Sequence, residues 1–473
     1  MIKNKRNTEP KDLEIQGEGK QGSLFQEEIP VWYDRKGKVC SKWTSRCEEE
    51  RKQTMNLLEE IASLGNLIRA YRAVKKNNGS AGADGETVKE FGEWLNKHHK
   101  EFIGSILTGK YKPSLVRGVE IPKPNGGTRM LGIPTVKDRV LQQGISQVLT
   151  RYYDVTFTES SHGFRPKRGT LGALKEASEY IKGGKTRIVD IDLEKFFDEV
   201  NQNRLMWLLS LRIGDKRVLD LIRKTLRSGI LLGGVENQRI KGTPQGSPLS
   251  PLLSNIVLDE LDQELTRRGL SFVRYADDML IFTSSQKSAE RVYKGVSEFI
   301  RNKMRLKVND SKSGVRKLNE VNFLGHGFLG KGNLRLSESS ETKFKEKLKK
   351  VTSRNRGISL EQMIKEVNAI TRGWLNYFKG AKMKSKLEKI NSWLKRRIRC
   401  FRLKQCKRVI GIVRLLRRLK VGEKLSWQTA LSGKSWWRLS NSPGANIGMN
   451  NKWFSDLGYY DLVTNYELLH KST

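Results

Sequence analysis

Ser271-Phe-Val-Arg-Tyr-Ala-Asp-Asp-Met-Leu-Ile-Phe282 sets two short apolar runs either side of Ala276-Asp277-Asp278. Runs of this composition favour strands, and so short a polar connection between them predicts a β-hairpin with adjacent carboxylates at its tip. Asp is common in turns for its local hydrogen bonds, so the pair alone says little. A second stretch changes its weight. In Arg187-Ile-Val-Asp-Ile-Asp-Leu193, Asp190 and Asp192 alternate with Val189, Ile191 and Leu193. The period of two puts both carboxylates on one face of a strand. At the end of an apolar strand they are costly to remove from water unless something positive sits beside them. Laid against the hairpin, this strand would bring three carboxylates together, and their repulsion would raise their pKa values or recruit cations. Oxygen ligands at a phosphate-handling site suit Mg²⁺. Two such ions ~3.5–4 Å apart can activate a 3′-hydroxyl and stabilise a departing pyrophosphate.

Around these stretches, residues 111–336 read as mixed strands and helices, with helical runs at Arg204–Arg227 and Leu249–Arg268. Thr54–Lys110 reads as helical, broken at Asn77-Asn-Gly-Ser-Ala-Gly82. Residues 1–50 have weak periodicity and are expected to form a flexible extension. After Val421 the chain mixes Trp427, Trp436, Trp437 and Trp453 with glycines and basic residues. There is no internal repeat.

The 473 residues include 90 Lys or Arg and 51 Asp or Glu, a net charge of +39. Apolar residues make up 37 %, enough to bury several cores, which excludes a wholly disordered basic chain. No run reaches the ~18 apolar residues of a membrane span, and Met1–Lys20 lacks the apolar region of a signal peptide. Cys40, Cys47, Cys400 and Cys406 are too few for a disulfide scaffold, and their spacings fit no zinc motif. A cytoplasmic, nucleoid-associated protein with no membrane partner is the expectation. The charge is concentrated: Lys331–Lys420 holds 28 basic residues against 6 acidic ones. Surface helices usually mix signs for pairing, so an excess of one sign points to a helical domain that grips a polyanion and releases its counterions.

Several motifs resemble those of one family, the group II intron-encoded reverse transcriptases, in the family's order over about 120–325. Tyr275-Ala-Asp-Asp278 resembles the YxDD hairpin, and Ile191-Asp-Leu-Glu-Lys-Phe-Phe-Asp198 the first catalytic motif. Lys241-Gly-Thr-Pro-Gln-Gly-Ser-Pro-Leu-Ser-Pro-Leu-Leu-Ser-Asn255 resembles the PQGxxLSPLLxN segment. Ile121–Pro134, His162-Gly-Phe-Arg-Pro166, Leu306-Lys-Val-Asn309 with Lys312, and Phe323-Leu-Gly325 follow the same pattern. Arg372-Gly-Trp-Leu-Asn-Tyr-Phe378 resembles the thumb, or maturase, domain.

The resemblance implies an α+β, right-hand polymerase fold with fingers, palm and a basic helical thumb. Its implied divisions are an N-terminal helical block at 51–110, fingers and palm at 111–336, thumb at 337–415 and a DNA-binding tail at 416–473. It implies that Asp192, Asp277 and Asp278 are catalytic and hold two Mg²⁺ ions; the alternation alone does not choose Asp192 over Asp190. It also implies that Phe197 excludes a 2′-hydroxyl, that Lys123, Arg129 and Arg117 hold the incoming triphosphate, and that Gln245 and Gly246 line the nucleotide pocket. Ser247 departs from the pattern, which usually has a second Gly there, and leaves the pocket's shape open. Basic Arg165, Lys167 and Arg168 are expected on the nucleic acid, as is the Lys395-Arg396-Arg397 run as a phosphate-binding helix face. Trp374, Tyr377 and Phe378 have the spacing of core residues, and stacking on bases by Trp436-Trp437 is weighed evenly against packing. The five histidines show no metal spacing.

The expected function is RNA-directed DNA synthesis from a group II intron RNA on a DNA target or primer with deoxynucleoside triphosphates, together with help in splicing. The paired CxxC motifs of the family's HNH endonuclease are not found, so priming from a nick or a nascent strand is expected. Two alternatives stay open: a retron-like or diversity-generating reverse transcriptase, and a non-enzymatic RNA-binding maturase.

Overall fold

A computed structural model describes residues 49, 51–122, 126–433 and 435–471. The expected extension at 1–50 therefore lies outside the described residues save Glu49, as does Lys123.

Toward the N-terminus, the described residues form α1 (Leu57–Ala62), α2 (Leu64–Asn77) and α3 (Val88–Leu107). Thr87 and Glu90 form a reciprocal capping box that starts α3 after the predicted loop. A fingers sheet follows in the order β2-β1-β4-β5, from β1 (Val116–Pro122), β2 (Thr128–Ile133), β4 (Ile230–Leu232) and β5 (Val235–Asn237). Helices α4 (Val136–Tyr153) and α5 (Thr170–Lys182) lead to β3 (Arg187–Ile191), the short α6 (Phe196–Glu199), α7 (Gln202–Ser210) and α8 (Lys216–Arg227). The single helix expected over Arg204–Arg227 is thus two. Gly214 lies against Arg51, where a Cβ would meet the Arg51 carbonyl at 2.3 Å. Asp215 then caps α8 by accepting from the Arg217 N–H, and it also accepts from the Leu58 N–H at 3.0 Å. The break ties the N-terminal helices to the palm.

The palm sheet is β6-β7-β3-β8, antiparallel throughout, built from β6 (Ser271–Tyr275), β7 (Asp278–Thr283), β3 and β8 (Gly314–Lys317). It is buried on both faces. Val189, Ile191, Phe272, Met279 and Ile281 join the main core beneath, with α9 (Ser250–Arg267), α10 (Gln286–Asn302) and the N-terminal helices. Ile188, Val273, Leu280 and Phe282 face the other way, onto Ala173, Leu174, Ala177 and Ile181 of α5. Alternation therefore sends successive side chains into two cores, and a one-residue slip would exchange them.

A small sheet, β12-β11-β10-β9, couples palm to thumb: β9 (Asn322–Phe323), β10 (His326–Phe328), β11 (Leu334–Leu336) and β12 (Ala381–Lys382). The thumb is α11 (Glu338–Val351), α12 (Leu360–Phe378) and α13 (Lys384–Gln405) around Phe344, Leu348, Met363, Leu375, Leu387, Leu394 and Ile398. Trp374 stacks on Phe344 with ring centroids 4.0 Å apart. The segment expected as one tail packs in two places. Helices α14 (Val409–Arg418) and α15 (Glu423–Leu431) share a small core with Leu403, Leu439, Ala445 and Met449. Phe454, Tyr459, Leu462 and Tyr466 return to the thumb core.

Candidate active site

Register fixes the carboxylates. Ile191 pairs with Met279 and Tyr275 with Asp278, so Asp192 follows directly beside the hairpin tip. The turn is tight, and Ala276 adopts φ +58°, a left-handed conformation that costs a non-glycine residue roughly 1 kcal/mol or more. A surrounding brace holds it there. Arg274, fully buried, donates to the Ala276 carbonyl at 2.9 Å, to Asn255 Oδ1 at 3.0 Å and to Ser161 Oγ at 2.8 Å. Its charge is met by the equally buried Asp262, with Nε 2.7 Å from Oδ1. Asn255 Nδ2 donates to the Gly163 carbonyl. Gly163 is pressed on the turn so closely that a Cβ would lie 2.2 Å from the Ala276 nitrogen.

The carboxylates repel one another. Removal from water, then the charges of Asp277, Asp192 and Asp190, push Asp278 up to about 6, although its side chain opens to solvent. Burial, with repulsion from Asp192, raises Asp277 against the pull of Arg129 and Arg274. Asp192 accepts from Asn309 Nδ2 at 2.9 Å and faces Lys312 Nζ at 3.6 Å. Asp190 points to Arg316 of β8, with Oδ2 3.1 Å from Nε. This distinguishes the two strand aspartates: Asp190 is paired with an arginine of its own sheet, and Asp192 stands at the open end. Among the described residues no three acidic, His or Cys side chains already stand as a metal-binding group. The donor set nevertheless fits a hard divalent ion. It consists of carboxylates alone, crowded and partly desolvated, a charge pattern that a cation relieves.

Among the residues expected to line a nucleotide pocket, Arg129, Gln245 and Gly246 are brought together. Arg129 of β2 donates from Nε to Gln245 Oε1, and the Gln245 carbonyl accepts from the Gly132 N–H at 2.8 Å. Gly246 sits at φ +114° with the Gly132 carbonyl 2.5 Å from a notional Cβ, so no other residue fits without a shift. Half-buried Phe197 packs edge-on to Phe196, and its carbonyl accepts from the Thr243 N–H at 2.7 Å. Ser247 turns away from the pocket: its buried hydroxyl donates to Gln142 Oε1 at 2.8 Å on α4. Arg117 is exposed and reaches the Ala81 carbonyl at 3.4 Å, bridging the fingers to the loop between α2 and α3.

The basic residues divide. Lys167 is exposed. Arg168 pairs with Glu159. Arg165 is buried and bonded to Asp154, Thr158 and Ser161, so it shapes its loop. On α13 the Lys395 ammonium, its side chain only 13 % exposed, is 2.7 Å from Asp461. Arg396 donates to the Trp437 carbonyl and lies 4.0 Å over that ring, while Arg397 donates to Thr352 Oγ1. Consecutive helical residues are ~100° apart, so three in a row cannot share one face. Lys395 and Arg396 fasten the thumb to the segments that follow it, with Trp437 packed against Arg396, while Arg397 ties α13 back to the end of α11 within the thumb. Arg274 and Asp262, central to the brace, were missed in the sequence. The available signal was an arginine inside an apolar strand, which demands a buried partner.

Fold and site together define a polymerase palm, built to transfer a nucleotidyl group at a carboxylate cluster. Residues 121–328 match the reverse transcriptase (RNA-dependent DNA polymerase) family, and 342–419 match the group II intron, maturase-specific domain. Protein YkfC of Escherichia coli (strain K12) is 31 % identical over 265 residues, covering 48 % of this chain and 70 % of that protein. Group II intron-encoded protein LtrA of Lactococcus lactis subsp. cremoris is 35 % identical over 214 residues, 45 % of this chain and 35 % of its own. The putative COX1/OXI3 intron 2 protein of Saccharomyces cerevisiae is 29 % identical over 338 residues, 58 % of this chain and 39 % of its own. The chain belongs to the group II intron-encoded reverse transcriptase and maturase family. The alignments span little more than a third of the length of the last two relatives. Reverse transcriptase domains generally use divalent metal ions. No helix among the described residues is long and apolar enough to cross a membrane.

Proposed function

We propose that the chain copies a group II intron RNA into DNA from a DNA primer, using deoxynucleoside triphosphates, and assists the splicing of that RNA. The observation that carries this reading is the juxtaposition of Asp192 with the Asp277-Asp278 turn at one end of the palm sheet. Asp192, Asp277 and Asp278 would hold two Mg²⁺ ions, which supply charge neutralisation and a more acidic 3′-hydroxyl for in-line phosphoryl transfer. Arg129 faces the same carboxylates and offers its remaining guanidinium donors to the triphosphate. Lys123 belongs to the same hairpin in sequence and is assigned the same task. Gln245 and Gly246 bring backbone close to the incoming nucleotide, and Phe197, fixed against Thr243, meets the sugar edge where a 2′-hydroxyl would project. The basic thumb grips the RNA backbone through its exposed lysines.

Primer extension on an RNA template with deoxynucleotides and Mg²⁺ tests the reading beside an Asp277→Ala, Asp278→Ala control. Extension by the wild type alone is expected. Salt-sensitive RNA binding without extension would leave a splicing-only maturase. An intron-splicing assay on Asp277→Ala should show splicing retained while synthesis is lost, and joint loss would refute the separation of the two activities.

A further inference from the structure

One side chain beside the catalytic turn is displayed at a cost. Phe164 holds φ +59°, a region bulky residues rarely enter, and is 53 % exposed. An aromatic placed so would ordinarily relax or bury itself. Its neighbours forbid this. Gly163 is clamped between Asn255 and the Ala276 backbone, and Arg165 is locked by bonds to Asp154, Thr158 and Ser161. Phe164 is therefore held rigid and outward between two fixed residues. Its ring centroid lies 6.5 Å from that of Tyr275, two residues before Asp277. Three residues on, exposed Lys167 lines a cleft with His162 and Leu171 whose other charges are paired as Arg165–Asp154 and Arg168–Glu159, so a cation stands close along the chain to an exposed aromatic face. Such a combination suits a nucleotide strand, whose bases stack while its phosphates meet the cation. Strained residues that persist only because their surroundings impose them concentrate at functional sites.

We propose that Phe164 is a stacking platform for a nucleotide of the primer–template duplex next to the primer terminus. This rests on the polymerase reading above, because the reacting 3′-hydroxyl must come to the carboxylates. Phe164 thus stands beside the turn that carries Asp277 and Asp278, where the end of the duplex must lie for its 3′-hydroxyl to reach them, and positions it for transfer.

The test uses the full chain, with wild-type extension as the control for the underlying reading. Phe164→Ala should weaken binding of a fluorescent primer–template about tenfold, the scale of one lost stacking contact. It should raise KM for primer–template while leaving the KM for deoxynucleotide within twofold, and Phe164→Trp should restore binding. Phe164→Gly removes the backbone strain, so it should unfold at no lower urea concentration than the wild type yet bind as weakly as the alanine variant. A merely structural phenylalanine would give the opposite pattern: stability lost and binding kept by the folded fraction. If the wild type extends and both small variants bind primer–template within twofold of it, the inference is overturned. If the wild type does not extend, the polymerase reading fails instead.

Discussion

Replacing Arg274 by Met should separate the stability of the palm from the geometry of its turn. The guanidinium and its Asp262 partner are both fully buried, and the arginine also supplies the Ala276 carbonyl, Asn255 and Ser161. Arg274→Met leaves the Asp262 carboxylate without a counter-charge in the interior, which costs about 3–5 kcal/mol. Adding Asp262→Leu removes the stranded charge. Apolar replacement of a whole buried pair is often near neutral, so the double variant should regain most of that loss. Activity should not follow. The Ala276 carbonyl still lacks its charged donor, a bond worth about 1.5–3 kcal/mol. If half to all of that orients Asp277 and Asp278, primer extension stays about 4- to 160-fold down. Urea unfolding monitored by tryptophan fluorescence gives the stabilities, and single-turnover extension gives the rates. A double variant as unstable as Arg274→Met would refute the stranded-charge argument. One that is stable and fully active would show that the turn does not depend on the brace.

Asp278→Asn should raise the urea midpoint of the metal-free protein by relieving repulsion among Asp277, Asp192 and Asp190, while abolishing extension; a lower midpoint would contradict the crowding. Gly246→Ala should cut extension at least tenfold at nearly unchanged stability in the thumb, because its Cβ would collide with the Gly132 carbonyl, and unaltered kinetics would dismiss that contact. Asp461 is held down to about 2, against burial, by hydrogen bonds from Lys395 and Asn391. A depressed carboxylate stabilises above its unfolded pKa near 4 and loses that contribution as pH falls towards 2, so Asp461→Asn should cost about 2 kcal/mol at pH 7 and flatten the stability profile between those pH values. For the same reason Lys395→Ala should lower stability and leave the salt dependence of RNA binding intact. Lys167→Ala should instead reduce the logarithmic salt slope by about one, and a reversal of these two results would return Lys395 to the nucleic-acid surface.

What the sequence made legible was local. The hairpin at Ser271–Phe282 and the strand at Arg187 are each set by the alternation of neighbours, and their pairing follows once both need the same two cores. The choice between Asp190 and Asp192 was not local, since it turns on Arg316, 126 residues along the chain from Asp190. The brace escaped for the same reason: Arg274 finds Ser161 113 residues away, and periodicity reports which face a residue occupies, never which partner waits there. The helix break at Gly214-Asp215 depends on contact with Arg51 and Leu58, again distant in sequence. Charge was the least legible signal. The excess between Lys331 and Lys420 marks a polyanion-binding domain as a whole, yet Lys395, Arg396 and Arg397 spend their donors on Asp461, Trp437 and Thr352. A long cationic side chain can serve a phosphate or its own fold, and composition cannot tell these apart. At the proposed catalytic centre the ambiguity disappears, because carboxylates crowded between a strand end and a hairpin tip destabilise the fold unless a cation joins them. There the sequence pattern that is worst for stability is the one most informative about function.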